Sequence, residues 1–199
     1  MPYAENALEN PDIAPAALQQ LRQGYGEYIV AEQLTCDGMP TVWVERQSLK
    51  TVLRTLREEI SPQFEMLFDI TAIDERLRTN RDGQPPSEFT VVYHLMSFTG
   101  NCDFRVKVAL QDSDLHLPSV IELWPNANWY ERETWDMFGI QFEGHPNLYR
   151  IVLPPTWQGH ALRKEHPARA TEMESFSLGD EQEDYEQSAL KFKPEEWGM

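Results

Sequence analysis

The densest group of chemically capable side chains in this sequence lies in residues 128–139. Three carboxylates and one arginine fall within six positions there: Glu131, Arg132, Glu133 and Asp136. Carboxylates can act as general acids and bases or bind a metal ion. Glu131 and Glu133 are two residues apart, so on a helix their side chains diverge by about 200° and cannot work as an acid–base pair. We predict that these charges are paired within the fold or offered to another surface.

The same residues are predicted to form one helix. Asn126 or Asn128 can cap its first turn, because a short side-chain oxygen can accept a free N–H. Gly139 suits the left-handed position after its last turn. Arg132 and Asp136 have the spacing of an ion pair, which in isolation contributes only about 0.2–0.5 kcal/mol. Packing of the aromatic side chains in this segment must therefore contribute more.

The histidines and cysteines do not form a recognisable metal-binding or redox motif. No histidine pairs with another histidine or a cysteine at zinc-ligand spacing. Cys36 and Cys102 are predicted to be free thiols, and two thiolates cannot hold a four-cysteine iron–sulfur cluster. Glu131, Glu133 and His145 together offer the ligand types of a hydrolytic metal site, which stays open as an alternative. Our main interpretation assigns no catalytic, cofactor-binding or metal residue to this chain.

Motifs for nucleotide binding and serine hydrolysis are missing from the sequence. The one Gly-x-Gly, at Gly24 and Gly26, comes before a predicted strand, whereas a dinucleotide-binding fingerprint follows one. A phosphate-binding loop and a Gly-x-Ser-x-Gly elbow do not occur. These observations favour an interaction role over a catalytic one.

The charge of the chain is strongly negative and unevenly distributed. The net charge is −16, which disfavours a nucleic-acid partner because phosphates would be repelled over most of the surface. Residues 171–199 carry nine acidic and two basic side chains, whereas residues 129–170 carry five of each. We interpret the neutral stretch as the contact region and the acidic parts as solvated.

Hydrophobic spacing and turn residues predict an α+β fold. The predicted helices cover residues 15–23, 48–60, 118–124 and the segment before Gly139, and the predicted strands cover residues 28–34, 41–44, 64–73, 89–97, 104–110, 140–142 and 148–153. They should form a mostly antiparallel, four- to five-stranded sheet with helices packed on one face. We divide the chain into a flexible N-terminus (1–13), an α+β domain (14–153) and an extended C-terminal arm (154–199).

Two motifs resemble those of a known family. The run from Glu131 to Ile140, Glu-Arg-Glu-x-x-Asp-Met-Phe-Gly-Ile, followed by His145, is similar to the signature of the C subunit of NADH–quinone oxidoreductase, the bacterial respiratory complex I. Residues 159–167, with Gly-His-x-Leu-Arg-Lys before a proline, resemble the second hallmark of that family. Residues 190–199 resemble the joint between the C and D parts in the fused C/D form.

The family usually has a basic residue or proline where Tyr149 stands here, and tyrosine where His166 stands. We take both departures to leave the fold intact. We hypothesise that His166 makes the contact of this motif sensitive to pH, which the usual tyrosine would not do.

The resemblance implies a non-catalytic scaffold in the hydrophilic arm of the complex. It implies no cofactor in this chain, with FMN, iron–sulfur clusters and quinone sites in partner subunits. The implied partners are the D subunit, whether fused or separate, and the B and I subunits. The implied location is the cytoplasmic side of the bacterial inner membrane, peripheral through the complex. The expected subunit-interface residues are Glu131, Arg132, Glu133, Asp136, His145, His160, Arg163, Lys164 and Arg169.

The main alternative is the equivalent subunit of a related membrane-bound hydrogenase or of another quinone- or ferredoxin-linked complex. Such a subunit would share the fold and the scaffold role but work with a different electron donor. The lesser alternative is the metal-dependent hydrolase built from Glu131, Glu133 and His145.

Overall fold

The structure is a computed structural model that describes residues 13–79, 81, 83–155 and 157–166. The elements in chain order are α1 (Ile13–Tyr25), β1 (Ile29–Gln33), β2 (Thr41–Val44), α2 (Leu49–Glu58), β3 (Met66–Asp74), β4 (Phe89–Ser97), β5 (Cys102–Leu110), β6 (His116–Pro118), α3 (Ala127–Phe138) and β7 (Gln141–Glu143). Short 3-10 turns at Gly26–Tyr28 and Arg46–Ser48 come before β1 and α2.

Five strands form the main sheet, in the order β1-β2-β5-β4-β3. All neighbouring strands are antiparallel except β2 and β5, which are parallel. Strands β6 and β7 form a separate parallel pair. This arrangement confirms the predicted α+β class and the mostly antiparallel sheet.

Alternation along the central strands creates the core. In β4 the side chains of Phe89, Val91, Tyr93 and Leu95 point to one face and are fully buried, and in β5 those of Phe104, Val106 and Val108 do the same. Helix α2 lies on this face with Leu49, Val52, Leu53 and Leu56 buried, the spacing of one helical stripe. Each fully buried leucine contributes about 1.5–3 kcal/mol to this packing.

Residues 118–124 do not form the predicted helix. Pro118 ends β6, whose extended backbone pairs in parallel with β7, so a helix cannot begin there. The next N–H, from Ser119, donates to the carbonyl oxygen of Glu143 at 2.8 Å. Only one turn follows, closed by the Trp124 N–H on the Val120 carbonyl at 3.0 Å. The pairing of two short strands overrides the local helical pattern.

Residues 148–153 do not form the predicted strand. The N–H groups of Ile151, Val152 and Leu153 all donate to one oxygen of Asp136. In a strand, successive N–H groups point in opposite directions, so they cannot converge in this way. A buried carboxylate therefore sets the backbone of this segment.

The C-terminal stretch was predicted to be an extended arm. Its described part, residues 154, 155 and 157–166, forms turns that pack against α3 of the same chain. The remainder, which includes Arg169, lies outside the described residues, as do residues 1–12 of the predicted flexible N-terminus. The three-part division of the chain stays a prediction.

Candidate functional site

Helix α3 covers the free edge of the sheet. Strand β3 is the last strand of the sheet on this side. Within β3, the carbonyl of Leu67 accepts a hydrogen bond from Asn126 Nδ2 (2.7 Å) and that of Ile70 accepts one from Thr134 Oγ1 of α3 (3.1 Å). Just before β3, the Glu65 carbonyl accepts a hydrogen bond from Trp124 Nε1 (3.1 Å). An exposed edge strand invites pairing with another chain, so this cover protects the sheet. Asn126 stands at the predicted N-cap position but makes no cap hydrogen bond.

Asp136 is fully buried at the end of α3 and fully bonded. Its Oδ1 accepts a hydrogen bond from Nη1 of Arg150 at 2.5 Å. Its Oδ2 accepts the three consecutive N–H groups of residues 151–153, at 3.1, 2.9 and 3.0 Å. Burial raises the pKa of Asp136, but the N–H groups and the guanidinium outweigh that effect and hold the pKa below its ordinary value. The carboxylate therefore stays charged and organises the segment after Tyr149.

The predicted ion pair between Arg132 and Asp136 is wrong. Arg150, from outside the helix, occupies the carboxylate instead. The guanidinium of Arg132 lies between the rings of Trp129 and Tyr149, with Cζ at 4.9 and 3.6 Å from their centroids. Stacking on aromatic faces and a bond from Nε to the Tyr149 carbonyl, at 3.3 Å, draw this side chain away from Asp136.

The second motif closes the C-terminal end of α3. The last carbonyl groups of a helix have no partner within the helix and must find one elsewhere. Here the Trp135 carbonyl accepts a hydrogen bond from the Gly139 N–H at 2.7 Å. The next three carbonyls accept from the second motif: Asp136 from His160 Nδ1 (3.0 Å), Met137 from the Leu162 N–H (3.0 Å) and Phe138 from Arg163 Nε (2.7 Å). The two motifs that resemble family hallmarks thus form one contiguous structure.

Gly139 is required at this junction for two separate reasons. Its φ is +80°, the left-handed region that disfavours side chains, as predicted for the C-cap. A Cβ at this position would also lie 2.6 Å from Nε2 of His160 and 3.0 Å from Nη2 of Arg163. Burial lowers the pKa of His160, so its neutral ring fills this space.

An ionic cluster joins the end of β3 to the second motif. Its members are Asp74, Arg76, Asp112, Arg163 and Glu165, which we call the Asp74 cluster. Arg76 pairs with both Asp74 and Glu165, and Arg163 reaches Asp112 at 3.2 Å and Glu165 at 3.5 Å. The two guanidinium groups lie over the ring of Phe89, at 4.8 and 5.2 Å from its centroid.

Asp74 is the buried anchor of this cluster. It accepts a hydrogen bond from the Lys164 backbone N–H at 2.8 Å, whereas the Lys164 residue itself is exposed. Burial raises the pKa of Asp74, but the hydrogen bonds from Arg76 outweigh it and bring the pKa to about 2. Asp74 and Arg76, at the end of β3, are therefore built into the fold.

Both ring nitrogens of His145 are occupied. The Asn147 N–H donates to Nδ1 at 3.0 Å, so Nε2 carries the proton and donates to the Asn128 carbonyl at 3.2 Å. Burial lowers the pKa of His145, which keeps it neutral. His145 thus links the start of α3 to the turn after β7.

Glu131 is buried and incompletely bonded. Its Oε1 accepts the Val120 N–H at 2.7 Å, whereas Oε2 has no partner among the described residues. The hydroxyl of Tyr93 is likewise buried without one. Burial raises the pKa of Glu131 to about 7. Glu133 is exposed on the other side of the helix, so the two glutamates point apart as predicted.

The alternative metal site is not assembled. Glu131 points inward, Glu133 outward, and the nitrogens of His145 are engaged in hydrogen bonds. No group of three His, Cys, Asp or Glu side chains within the described ranges is arranged to hold a metal ion. Of the predicted interface residues, eight have now been placed; Arg169 lies outside the described residues. Their contact with other subunits stays a prediction.

Sequence reasoning missed Arg150 and Asp112 as members of this site. Each is far along the chain from its partner, so no short-range spacing indicates the pairing. The one available signal was that Asp136, whose charge was predicted to be paired within the fold or offered to another surface, needs a cation.

Comparisons with known proteins agree with the geometry. The family model for the respiratory-chain NADH dehydrogenase 30 Kd subunit matches residues 42–172. The fused C/D subunit of NADH-quinone oxidoreductase from Methylococcus capsulatus is 54% identical over 193 residues, covering 97% of this chain and 33% of the relative. The protein of the same name from Nitrosospira multiformis is 59% identical over 167 residues, covering 84% and 28%. This chain thus spans about a third of the length of these relatives.

Two solved structures share the fold. A trypsin-resistant fragment of Nqo5 is 29% identical with a TM-score of 0.54, covering 66% of this chain and 98% of that one. A chain of the membrane-bound sulfane sulfur reductase, an archaeal respiratory membrane complex, is 19% identical with a TM-score of 0.58, covering 82% and 95%, and shows the fold alone.

Within the described residues, none of the helices has the length and apolar character needed to cross a membrane. The family match covers well over half of the sequence and both motifs of the site. The chain therefore belongs to the family of the respiratory-chain NADH dehydrogenase 30 kDa subunit, and it corresponds to the C part of the fused C/D proteins.

Proposed function

We propose that this chain is a non-catalytic scaffold in the hydrophilic arm of NADH–quinone oxidoreductase. In that role it supports electron transfer from NADH to quinone, coupled to proton translocation. FMN, the iron–sulfur clusters and the quinone site belong to partner subunits. The chain lies on the cytoplasmic side of the bacterial inner membrane and is peripheral to it.

One observation carries the proposal: Asp136, His160 and Arg163, from the two motifs, are used to hold the chain's own fold. Asp136 organises residues 151–153, and His160 and Arg163 bind the end of α3. Groups bound in this way fix a rigid body and are not poised to react with a substrate. A rigid body with an anchored sheet edge suits a subunit that holds neighbours in register.

The partners follow from the family. The D subunit, either continuous with this chain or separate, is the first, and the names of the fused relatives support it. The B and I subunits are the further proposed neighbours. Since the chain spans about a third of those relatives, the remainder of such a protein would supply the D part.

The test is replacement of the native C segment by this chain in a bacterium that depends on the complex. Membranes of the complemented strain should oxidise NADH with a quinone acceptor, and the D, B and I subunits should co-purify with the chain. The purified chain alone should show neither NADH oxidation nor a bound redox group. Turnover by the isolated chain, or failure to co-purify with the D subunit, would overturn the proposal. Use of ferredoxin in place of NADH would favour the related hydrogenase-type complex.

A further inference from the structure

A cation lies directly beneath an exposed aromatic surface on helix α3. The guanidinium of Arg132 is 3.6 Å from the ring centroid of Tyr149 and 4.9 Å from that of Trp129. Arg132 is 2% exposed, whereas Trp129 is 60% and Tyr149 is 37% exposed. We call these three residues the Trp129 surface. The two aromatic rings are exposed to solvent, and the positively charged guanidinium of Arg132 is buried against them.

The charge of Arg132 lacks a counter-ion within the described part of the chain. Asp136, one turn further along α3, is bound to Arg150. Each of the other described arginines has a carboxylate oxygen within 4.0 Å: Arg22, Arg46, Arg54, Arg57, Arg76, Arg78, Arg81, Arg105, Arg150 and Arg163. A desolvated charge is costly unless an opposite charge balances it. Among the described arginines, Arg132 is therefore the one without a carboxylate oxygen within 4.0 Å, and it lies at an exposed aromatic site.

We infer that the Trp129 surface docks a segment of another subunit that bears a carboxylate beside apolar side chains. The inference rests on the proposed scaffold function and specifies one of its contacts. Tryptophan, tyrosine and arginine are the residues that dominate binding energy at protein interfaces. The unbalanced charge of Arg132 selects a negative partner group.

The position of Glu133 fixes the side of approach. Glu133 is exposed and lies one turn from Trp129 on the same ridge of α3. A carboxylate that came in over Glu133 would be repelled. We therefore expect the partner carboxylate to approach on the side away from Glu133.

The first test is assembly of the complex with Trp129→Ala in the full-length chain, produced in the complemented strain. The fraction of chain in intact complex, measured on native gels, should fall about tenfold, because loss of an interface anchor costs at least that factor in affinity. Phe98→Ala is the matched control, since Phe98 is 65% exposed and lies in the turn after β4. It should assemble as the wild type does. Thermal melting separates loss of docking from loss of folding: Phe98→Ala should melt as the wild type does, and Trp129→Ala should lower the melting temperature only slightly, because it removes one of the two rings stacked on Arg132.

The outcomes separate the two proposals. If the wild type and Phe98→Ala assemble and Trp129→Ala assembles equally well, the docking surface is wrong and the scaffold function stands. If the wild type itself is absent from the complex, both are wrong.

The second test identifies the occupant. A photoreactive phenylalanine analogue in place of Trp129 should cross-link to a peptide of another subunit that contains aspartate or glutamate. The same probe in place of Phe98 should not. A cross-link from position 129 to residues 167–199 of the same chain, or to a partner peptide without a carboxylate, would overturn the inference.

Discussion

Arg150 ties the two motifs together through Asp136. Its Nη1 lies 2.5 Å from Oδ1 of Asp136, and its Nη2 donates to the carbonyls of Trp157 at 3.1 Å and Gly159 at 2.9 Å. One guanidinium thus joins the end of α3 to the backbone that leads into His160. The pair is buried on the Asp136 side and only slightly exposed on the Arg150 side. Loss of this pair should therefore destabilise both the end of α3 and the backbone that leads into His160.

Arg150→Gln should lower the free energy of unfolding by about 3 kcal/mol, because it leaves the buried charge of Asp136 without its counter-ion. The measurement is urea unfolding followed by tryptophan fluorescence. Arg54→Gln is the matched control: Arg54 pairs with Glu122 at 2.7 Å on an open surface and should unfold as the wild type does. Equal effects of the two substitutions would show that Asp136 is held by the backbone N–H groups alone.

Gly139→Ala should destabilise the chain more than Gly144→Ala. Both glycines have φ near +80°, at +80° and +84°, so each alanine bears a backbone cost of about 1–2 kcal/mol. Only at Gly139 would the new Cβ also meet His160 and Arg163. The difference between the two unfolding free energies measures that contact. It should shrink when His160→Ala is added, and an unchanged difference would contradict the assigned packing.

The local features of α3 could be predicted from sequence, whereas its partners could not. The helix, the left-handed Gly139 and the divergence of Glu131 and Glu133 follow from spacing within one or two turns. The parallel pairing of β2 with β5 and the bond between Asp136 and Arg150 depend on where distant segments meet. For Arg132, the competing aromatic partner Tyr149 is 17 residues away along the chain. Arg132 stacks on the aromatic rings and Asp136 pairs with Arg150, so the predicted i, i+4 ion pair does not form.

Glu131 should make the stability of the chain depend on pH. Burial raises its pKa from 4.5 to about 7, so the folded state binds the proton more tightly than the unfolded state does. The stability from this proton is complete below pH 4.5 and is lost as the pH rises through about 7. Glu131→Gln should therefore raise the unfolding free energy at pH 8, by an amount on the order of 3 kcal/mol at most, and change it little at pH 4.

Glu133→Gln is the control for this titration, because Glu133 lies on the same helix but is exposed. Its unfolding free energy should follow the wild-type pH profile. A Glu131→Gln profile parallel to that of the wild type between pH 4 and pH 8 would mean that another group carries the dependence.

Arg163 and Glu133 were both predicted to contact other subunits, and the structure gives them different expected defects. Arg163 binds the Phe138 carbonyl at 2.7 Å and belongs to the Asp74 cluster. Arg163→Ala should therefore lower the melting temperature of the purified chain and reduce assembly as a consequence.

Glu133 is exposed and its side chain makes no hydrogen bond or ion pair with the described residues, so Glu133→Ala should leave the melting temperature unchanged. Any assembly defect it causes must arise from a lost contact with another subunit. Normal assembly of Glu133→Ala would remove that residue from the interface, and an unchanged melting temperature of Arg163→Ala would show that the second motif does not hold α3 as its hydrogen bonds indicate.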